Sequence, residues 1–318
     1  MRNRVVSMRR VLTAILLVAA IQLWGHERFV FTPQWTAQAQ FAGYYVAQEK
    51  GFYTEEGLDV EIVHPTATSP AMSRLRNDQC HATTLQLCQA MEIVDHGMPL
   101  VNILQTSMNN AMVIVSARGK DPLTQIGEKV GVWSVGFGQL AICMSQKDRL
   151  NYQWVRFEQG INLFVAGALD ATLAMSYNEY YQLMQAGVVM NDTTVYRFCD
   201  HGYNVQEDGV YMTYDFYIEH KEQAHRFAQA SRRGWEWAAE HQEEALEIVS
   251  KYIREERVPT NREQQRLMLH EVLRLQIDRE SGKREFRLRS DMVKLASDLM
   301  LEAHMINREI TYEELIDR

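Results

Sequence analysis

The sequence predicts an α/β fold in two lobes with a cleft between them. Three observations predict it. Strand-like runs alternate with stretches of helical spacing, as in parallel-rich sheets joined by crossover helices. The alternation stops near Ser116 and starts again near Pro122. After about Tyr203 the chain passes through one more strand and then stays helical. With 318 residues there is length for two domains of ordinary size.

The elements follow in order. Residues 29–31 read as a short strand. Residues 41–51 have helical spacing, with Phe41, Tyr44, Tyr45 and Ala47 as the apolar set and Gly51 ending the helix. Gly57 makes a turn and residues 58–63 alternate as a strand. Thr68-Ser69-Pro70 caps a helix over 71–77, and a further helix spans 84–96, ending at Gly97. Residues 100–105 and 112–116 are strands. The second run has a strand over 129–133, a glycine turn, a helix from Gln139 and the strand "YQWVRF". "GINLFVAGALDATLAMSYNEYYQLMQAG" then reads as helix, turn, strand and helix. "DGVYMTYDFYI" is the returning strand. Residues 224–254 carry apolar side chains at helical spacing among many charges. Helices continue from Thr260, with Ser281-Gly282 as a turn. Crossovers near Ala117 and Asn204 divide the chain into lobe 1 (26–116 plus 205–318) and lobe 2 (117–204). Such interdomain crevices favour ligands.

A hydrophobic fraction of 46%, a charged fraction of 23% and a net charge of -8 describe a soluble globular chain. They argue against a general nucleic-acid binder, which would present a basic face. Arg2, Arg4, Arg9 and Arg10 precede the apolar run 11–24. That pattern reads residues 1–25 as an export signal, or as an uncleaved anchor with the same topology. No clear small-residue cleavage site precedes Gly25, and no cysteine follows for a lipid anchor. Cys80, Cys88, Cys143 and Cys199 are too few for a disulfide scaffold, although one bridge stays open. Cys80, His81 and Cys88 match no common zinc spacing, so no metal is expected. No Ser/His/Asp order and no GxSxG indicates a catalytic centre. His64 and His201 read as plain loop or core residues.

Candidate contacts cluster at three places. "QWTAQAQFAGYY" puts Trp35, Gln40, Phe41 and Tyr44 just after the first strand. An indole offers a flat face for stacking, and amides supply donors and acceptors. Tyr45 is expected to pack inward. "SVGFGQL" is a glycine turn opening a helix, so Gly136, Phe137 and Gly138 could present backbone N–H groups to a polar ligand. "SYNEYY" follows a buried strand at its C-terminal end, where open sheets place ligand contacts. Tyr177, Asn178 and Glu179 are the candidates there. Asn178 is equally an N-cap, and Glu179 equally a first-turn acid favoured by the helix dipole. Ser69 is a contact or a cap.

"QAQFAGYYVAQEKGFYTEEGLDVEIV" resembles the opening of ABC-transporter solute-binding proteins of the thiamine-pyrimidine-precursor and sulfonate/nitrate superfamily. "RFAQASRRGWEWAAEHQEEALEIVSKY" and "GALDATLAMSYNEYYQL" are similar to that family's long helix after the second crossover and to its second-lobe strand and helix. The resemblance runs from about residue 29 to about residue 252. It implies the type II periplasmic binding protein fold, whose lobes close on a small molecule. It implies a monomeric periplasmic protein with an inner-membrane ABC permease as partner, with no cofactor and no catalysis. The implied ligand is a planar nitrogenous compound, such as a thiamine pyrimidine precursor. A sulfonate- or nitrate-type anion is the alternative within the fold, and a sensory ligand-binding role is another. The superfamily also contains a pyrimidine synthase that consumes its own histidine. Here Gln89 stands in that place and no cysteine-rich segment is present, which weighs against synthase chemistry. The glycine turn lacks the synthase loop's lysine, with Gln139 nearest, which weighs against a phosphorylated ligand.

Overall fold

A computed structural model describes residues 25–117, 123, 128–134, 136–158 and 160–316. The export-signal reading of the N-terminal segment falls outside them, apart from Gly25. Among the described residues no helix is long and apolar enough to cross a membrane.

Among the described residues ten strands form two five-stranded sheets. The first contains β1 (Glu27–Thr32), β2 (Leu58–Ile62), β3 (Ala82–Gln86), β4 (Leu100–Gln105) and β10 (Asp208–Thr213), in the order β2-β1-β3-β10-β4. The second contains β5 (Met112–Ser116), β6 (Lys129–Trp133), β7 (Gln153–Phe157), β8 (Ala171–Met175) and β9 (Val195–Arg197), in the order β7-β6-β8-β5-β9. Each sheet is mixed. β1 runs parallel to β2 and β3, whereas β10 is antiparallel to β3 and β4. β6 runs parallel to β7 and β8, whereas β5 is antiparallel to β8 and β9.

The helices are α1 (Ala42–Glu49), α2 (Phe52–Glu55), α3 (Ala71–Arg76), α4 (Leu87–Asp95), α5 (Gln139–Lys147), α6 (Asn162–Val165), α7 (Glu179–Gln185), α8 (Tyr214–Glu219), α9 (Lys221–Glu240), α10 (Gln242–Glu255), α11 (Arg262–Leu275), α12 (Ser290–Glu302) and α13 (Tyr312–Leu315). α1 and α9 lie against each other through glycines. A Cβ on Gly43 would enter the Trp235 ring, and one on Gly234 would meet the Gly43 carbonyl. The returning chain therefore clamps the first helix onto its sheet.

The structure corrects four element boundaries. Residues 82–86 are a strand, so the helix expected over 84–96 begins at Leu87. Thr83 and Thr84 are β-branched and lie in a fully buried row between β1 and β10, where strand pairing prevails. Met112–Ser116 pairs with β8 and β9, so it belongs to the second sheet. The first crossover is therefore at residues 106–111 rather than near Ala117. "DGVYMTYDFYI" leaves the sheet at Thr213 and continues as α8. The helix expected over 224–254 is broken at His241, whose backbone (φ -129, ψ 53) is not helical.

The C-terminal helices, for which no motif was evident, straddle both sheets' surroundings. α11 packs on the 3-10 turn Ala39–Phe41 and on α7, while α12 packs on α4 and α5. Cys80, Cys88 and Cys143 are buried, and all four cysteines are free thiols.

Candidate functional site

The chain leaves β1 into residues 33–41 and meets α7's leading loop across the cleft between the sheets. Gln34, Trp35, Gln38, Gln40 and Gln86 from one side face Trp133, Phe137, Met175, Tyr177, Asn178 and Glu179 from the other. They enclose about 350 Å³ of space, its open mouth included. Trp35 meets Phe137 edge-on across the cleft, with ring centroids 5.7 Å apart and planes at 68°. Among the described residues no Lys, Arg or His lines this pocket.

Its polar groups are held with a fixed polarity. A carboxylate only accepts. Gln34 Nε2 donates to Asp208 Oδ1 at 2.8 Å, and Gln40 Nε2 donates to Asp208 Oδ2 at 2.6 Å. Gln38 Nε2 in turn donates to Gln40 Oε1 at 2.6 Å. Gln34 Oε1 is left buried with no partner. Each of the three amides thus commits one of its two N–H donors, to Asp208 or to a neighbouring amide. Among the described lining side chains, the one polar atom left buried without a partner is an acceptor. Burial raises the Asp208 carboxyl, and the Gln40 and Gln34 donors offset part of that rise.

Glu179 adds another acceptor. It is 5% exposed, and burial raises its carboxyl against the hydrogen bonds that hold the ionised form. Its Oε1 accepts from Trp133 Nε1 and Asn178 Nδ2, each at 3.3 Å, and its Oε2 accepts from the Met175 N–H at 3.0 Å. These donors take up most of the carboxylate's acceptor capacity. Glu179 is thus a buried, oriented group and not a solvated first-turn acid.

His64 fixes the stacking residue. A carbonyl only accepts, so His64 Nδ1 carries the proton that reaches the Trp35 carbonyl at 2.7 Å. Nε2 is then the acceptor for Tyr45 O–H at 2.8 Å. Burial pushes the imidazole down to about 4, and the Trp35 carbonyl bond opposes that shift. A residue read as plain is therefore the brace behind Trp35.

The residues expected at the site divide into two groups. Trp35, Gln40, Phe137, Tyr177, Asn178 and Glu179 line the pocket. Phe41 and Tyr44 do not. Both are about 1% exposed, with Phe41 tilted against His64 and Tyr44 packed between Phe31 and the edge of Trp235. The close approach of α1 to α9 turns them inward. Ser69 lies away from the pocket, bridged to Thr66, and Pro70 occupies the N-cap of α3. Gly136 and Gly138 shape the turn without lining the pocket. Gly136 has φ +85, and a Cβ on Gly138 would collide with Val132.

With this geometry in view, the family comparison is decisive. The NMT1/THI5-like family model matches residues 38–245, about two thirds of the chain. The chain belongs to the NMT1/THI5-like family. A formylaminopyrimidine-binding protein of Halalkalibacterium halodurans is 25% identical over 229 residues, covering 68% of this chain and 67% of that protein. The NMT1/THI5-like chain also has the fold of two solved binding proteins. The periplasmic aliphatic sulphonate binding protein of Escherichia coli superposes with a TM-score of 0.66 at 13% identity, over 91% of this chain and 97% of that one. The ligand-binding component of an ABC-type import system from Staphylococcus aureus, with zinc bound, gives 0.66 at 9% identity, over 92% and 96%. The fold of this NMT1/THI5-like protein is thus the two-lobed periplasmic binding protein fold, with the pocket between its lobes.

Sequence reasoning missed Gln34, Gln86, Trp133 and above all Asp208. The signal for Asp208 was an acid pair, Glu207-Asp208, heading an apolar strand. α11 was missed as well. It seats the opening segment, because Gln265 Oε1 accepts the Ala39 N–H at 2.7 Å. Gln264 Nε2 reaches the Asn178 carbonyl at 3.1 Å on the other side of the cleft.

Proposed function

We propose that this protein is the extracytoplasmic solute-binding component of an ABC importer and holds a planar, donor-rich nitrogenous ligand of the aminopyrimidine type between its lobes. The observation that carries the reading is the acceptor-rich, cation-free pocket. Gln34 Oε1 is an orphan acceptor, and among the described residues no guanidinium or ammonium lines the walls. A buried acceptor without a donor costs about 1–3 kcal/mol, so a ligand that brings N–H groups removes that penalty. A sulfonate or nitrate brings acceptors only and would find no cation. Trp35, Phe137 and Tyr177 supply apolar faces for a flat ring.

The relative's name, formylaminopyrimidine-binding protein, agrees with this chemistry. Binding without turnover is part of the proposal, since the pocket holds carboxamides, carboxyls and aromatics but no paired nucleophile and base. The arginine-led apolar segment at the N-terminus supports export. The test is a thermal-shift screen against formylaminopyrimidine, polyamines, sulfonates and nitrate. A ligand at about a hundredfold excess over its Kd stabilises the folded state by about 2.7 kcal/mol. Formylaminopyrimidine is expected to raise the melting point. A rise with a sulfonate or nitrate and none with the pyrimidine would reject the reading.

A further inference from the structure

Behind Gln40 and Tyr177, which it shares with the pocket, lies a second, deeper chamber closed by Thr106, Ser107, Glu207, Asp208 and Trp235. Two consecutive carboxyls, Glu207 and Asp208, line it, Glu207 3% exposed and Asp208 half-buried. Neither forms an ion pair among the described residues, and no Lys, Arg or His lines the chamber. Asp208 is occupied by the two amides described above. The Ala111 N–H at the end of the first crossover favours the ionised Glu207, yet Glu207 Oε1 is buried with no partner. Trp235 Nε1, a buried donor without a partner, also lines it, and Thr106 and Ser107 carry hydroxyls that both donate onward, to the Asp208 and Asn109 carbonyls. The two hydroxyls therefore present lone pairs to the chamber. Buried carboxyls are normally paired with a cation or a metal, and here the protein supplies neither.

We propose that this chamber is a subsite for a cationic nitrogen carried on a side arm of the ligand, received by Glu207 Oε1 beside Asp208. The inference rests on the reading of the cleft above and narrows the ligand class to an aminopyrimidine bearing a protonated amine. An ammonium there would donate to Glu207 and to the threonine and serine oxygens while offsetting the buried Glu207 and the neighbouring Asp208. A neutral arm would leave the orphan oxygen unpaired. The position also ties occupancy to the hinge. Glu207 belongs to the second crossover and accepts from the first, whereas Tyr177, the chamber's wall, comes from the second lobe.

The test compares two probes by calorimetry on the full mature chain at pH 7: formylaminopyrimidine and the primary amine left when its formyl group is removed. The amine is expected to bind at least tenfold more tightly, and Glu207→Gln is expected to bring the two probes within about threefold of each other, as befits the loss of a charge-assisted hydrogen bond. Equal or tighter binding of the formyl compound by the unmutated protein overturns the subsite and leaves the cleft reading standing. An amine preference that survives Glu207→Gln assigns the charge to another acid and also overturns it. Binding of neither probe overturns the cleft reading and this inference together. Potassium chloride, exchanged for tetramethylammonium chloride at constant ionic strength, must not weaken amine binding. Competition by potassium would assign the chamber to an inorganic cation instead. The comparison on the unmutated protein decides the matter even if the variant folds poorly.

Discussion

Replacing Trp35 by alanine removes the indole wall and leaves its frame. His64 holds Trp35 through the backbone carbonyl, which alanine retains, so residues 33–41 should keep their path. Two losses follow. A flat ligand loses one aromatic face, worth about 0.5–1.5 kcal/mol beyond its area. The edge contact with Phe137 at 5.7 Å, which spans the cleft, also disappears. That contact favours the closed arrangement, so its loss weakens binding a second time. The two effects together reach at least about 1.4 kcal/mol, a tenfold rise in Kd. Calorimetry with formylaminopyrimidine measures it, with a melting curve as the control for folding. Phe137→Ala should act in the same direction. The double variant should lose less than the sum, because the two rings share one contact. Unchanged affinity in Trp35→Ala, with a normal melting curve, would refute the stacking assignment.

Other consequences are equally open to measurement. Glu179→Gln should lose about 1.5–3 kcal/mol of binding, the range for hydrogen bonds to a charged group. It should also lower the melting point, since Glu179 is buried and accepts the Met175 N–H; a variant that binds as well as the original would return Glu179 to a structural role. His64 must stay neutral in the folded protein, with its value at about 4 against an ordinary 6.5. A depressed folded value means that its stabilisation is complete above pH 6.5 and is lost as pH falls toward 4. The loss amounts to about 3 kcal/mol at 1.36 kcal/mol per unit. Denaturant melts of the original and of His64→Gln should therefore differ in slope between pH 6.5 and 4, and parallel curves would contradict the buried neutral imidazole. Gln265→Ala should destabilise by about 1–3 kcal/mol, because the buried Ala39 N–H loses its acceptor. A melting point unchanged within error would show that α11 does not seat the opening segment.

The segment after β1 was legible because its composition is chemical as well as structural: an indole and several amides follow one short strand. Orientation was not legible there. Phe41 and Tyr44 have the same apolar spacing whether α1 faces the cleft or the core. What turns them inward is α9, which arrives nearly two hundred residues later and packs Gly234 onto Gly43. The loop before α7 was legible from the buried strand that precedes it, although whether Glu179 was solvated depended on Trp133 in another strand. Asp208 was hidden for a plainer reason. Its partners Gln34 and Gln40 lie 174 and 168 residues away, and an acid at the head of a strand reads as a turn residue. The limits of the second sheet were misjudged at 112–116, since an apolar strand pairs equally well with either sheet until the topology is known. α11 is amphipathic without a motif, so only packing revealed that it contacts both sides of the site.

The central claim is that the cleft reads donors rather than negative charge, and one pair of titrations tests it most directly. The protein is titrated calorimetrically with formylaminopyrimidine and, separately, with an aliphatic sulphonate at the same ionic strength. The orphan acceptor at Gln34 and a described lining without cations predict saturable one-to-one binding of the pyrimidine and no measurable heat of binding with the sulphonate. Saturable one-to-one binding of the sulphonate, with none of the pyrimidine, would contradict it.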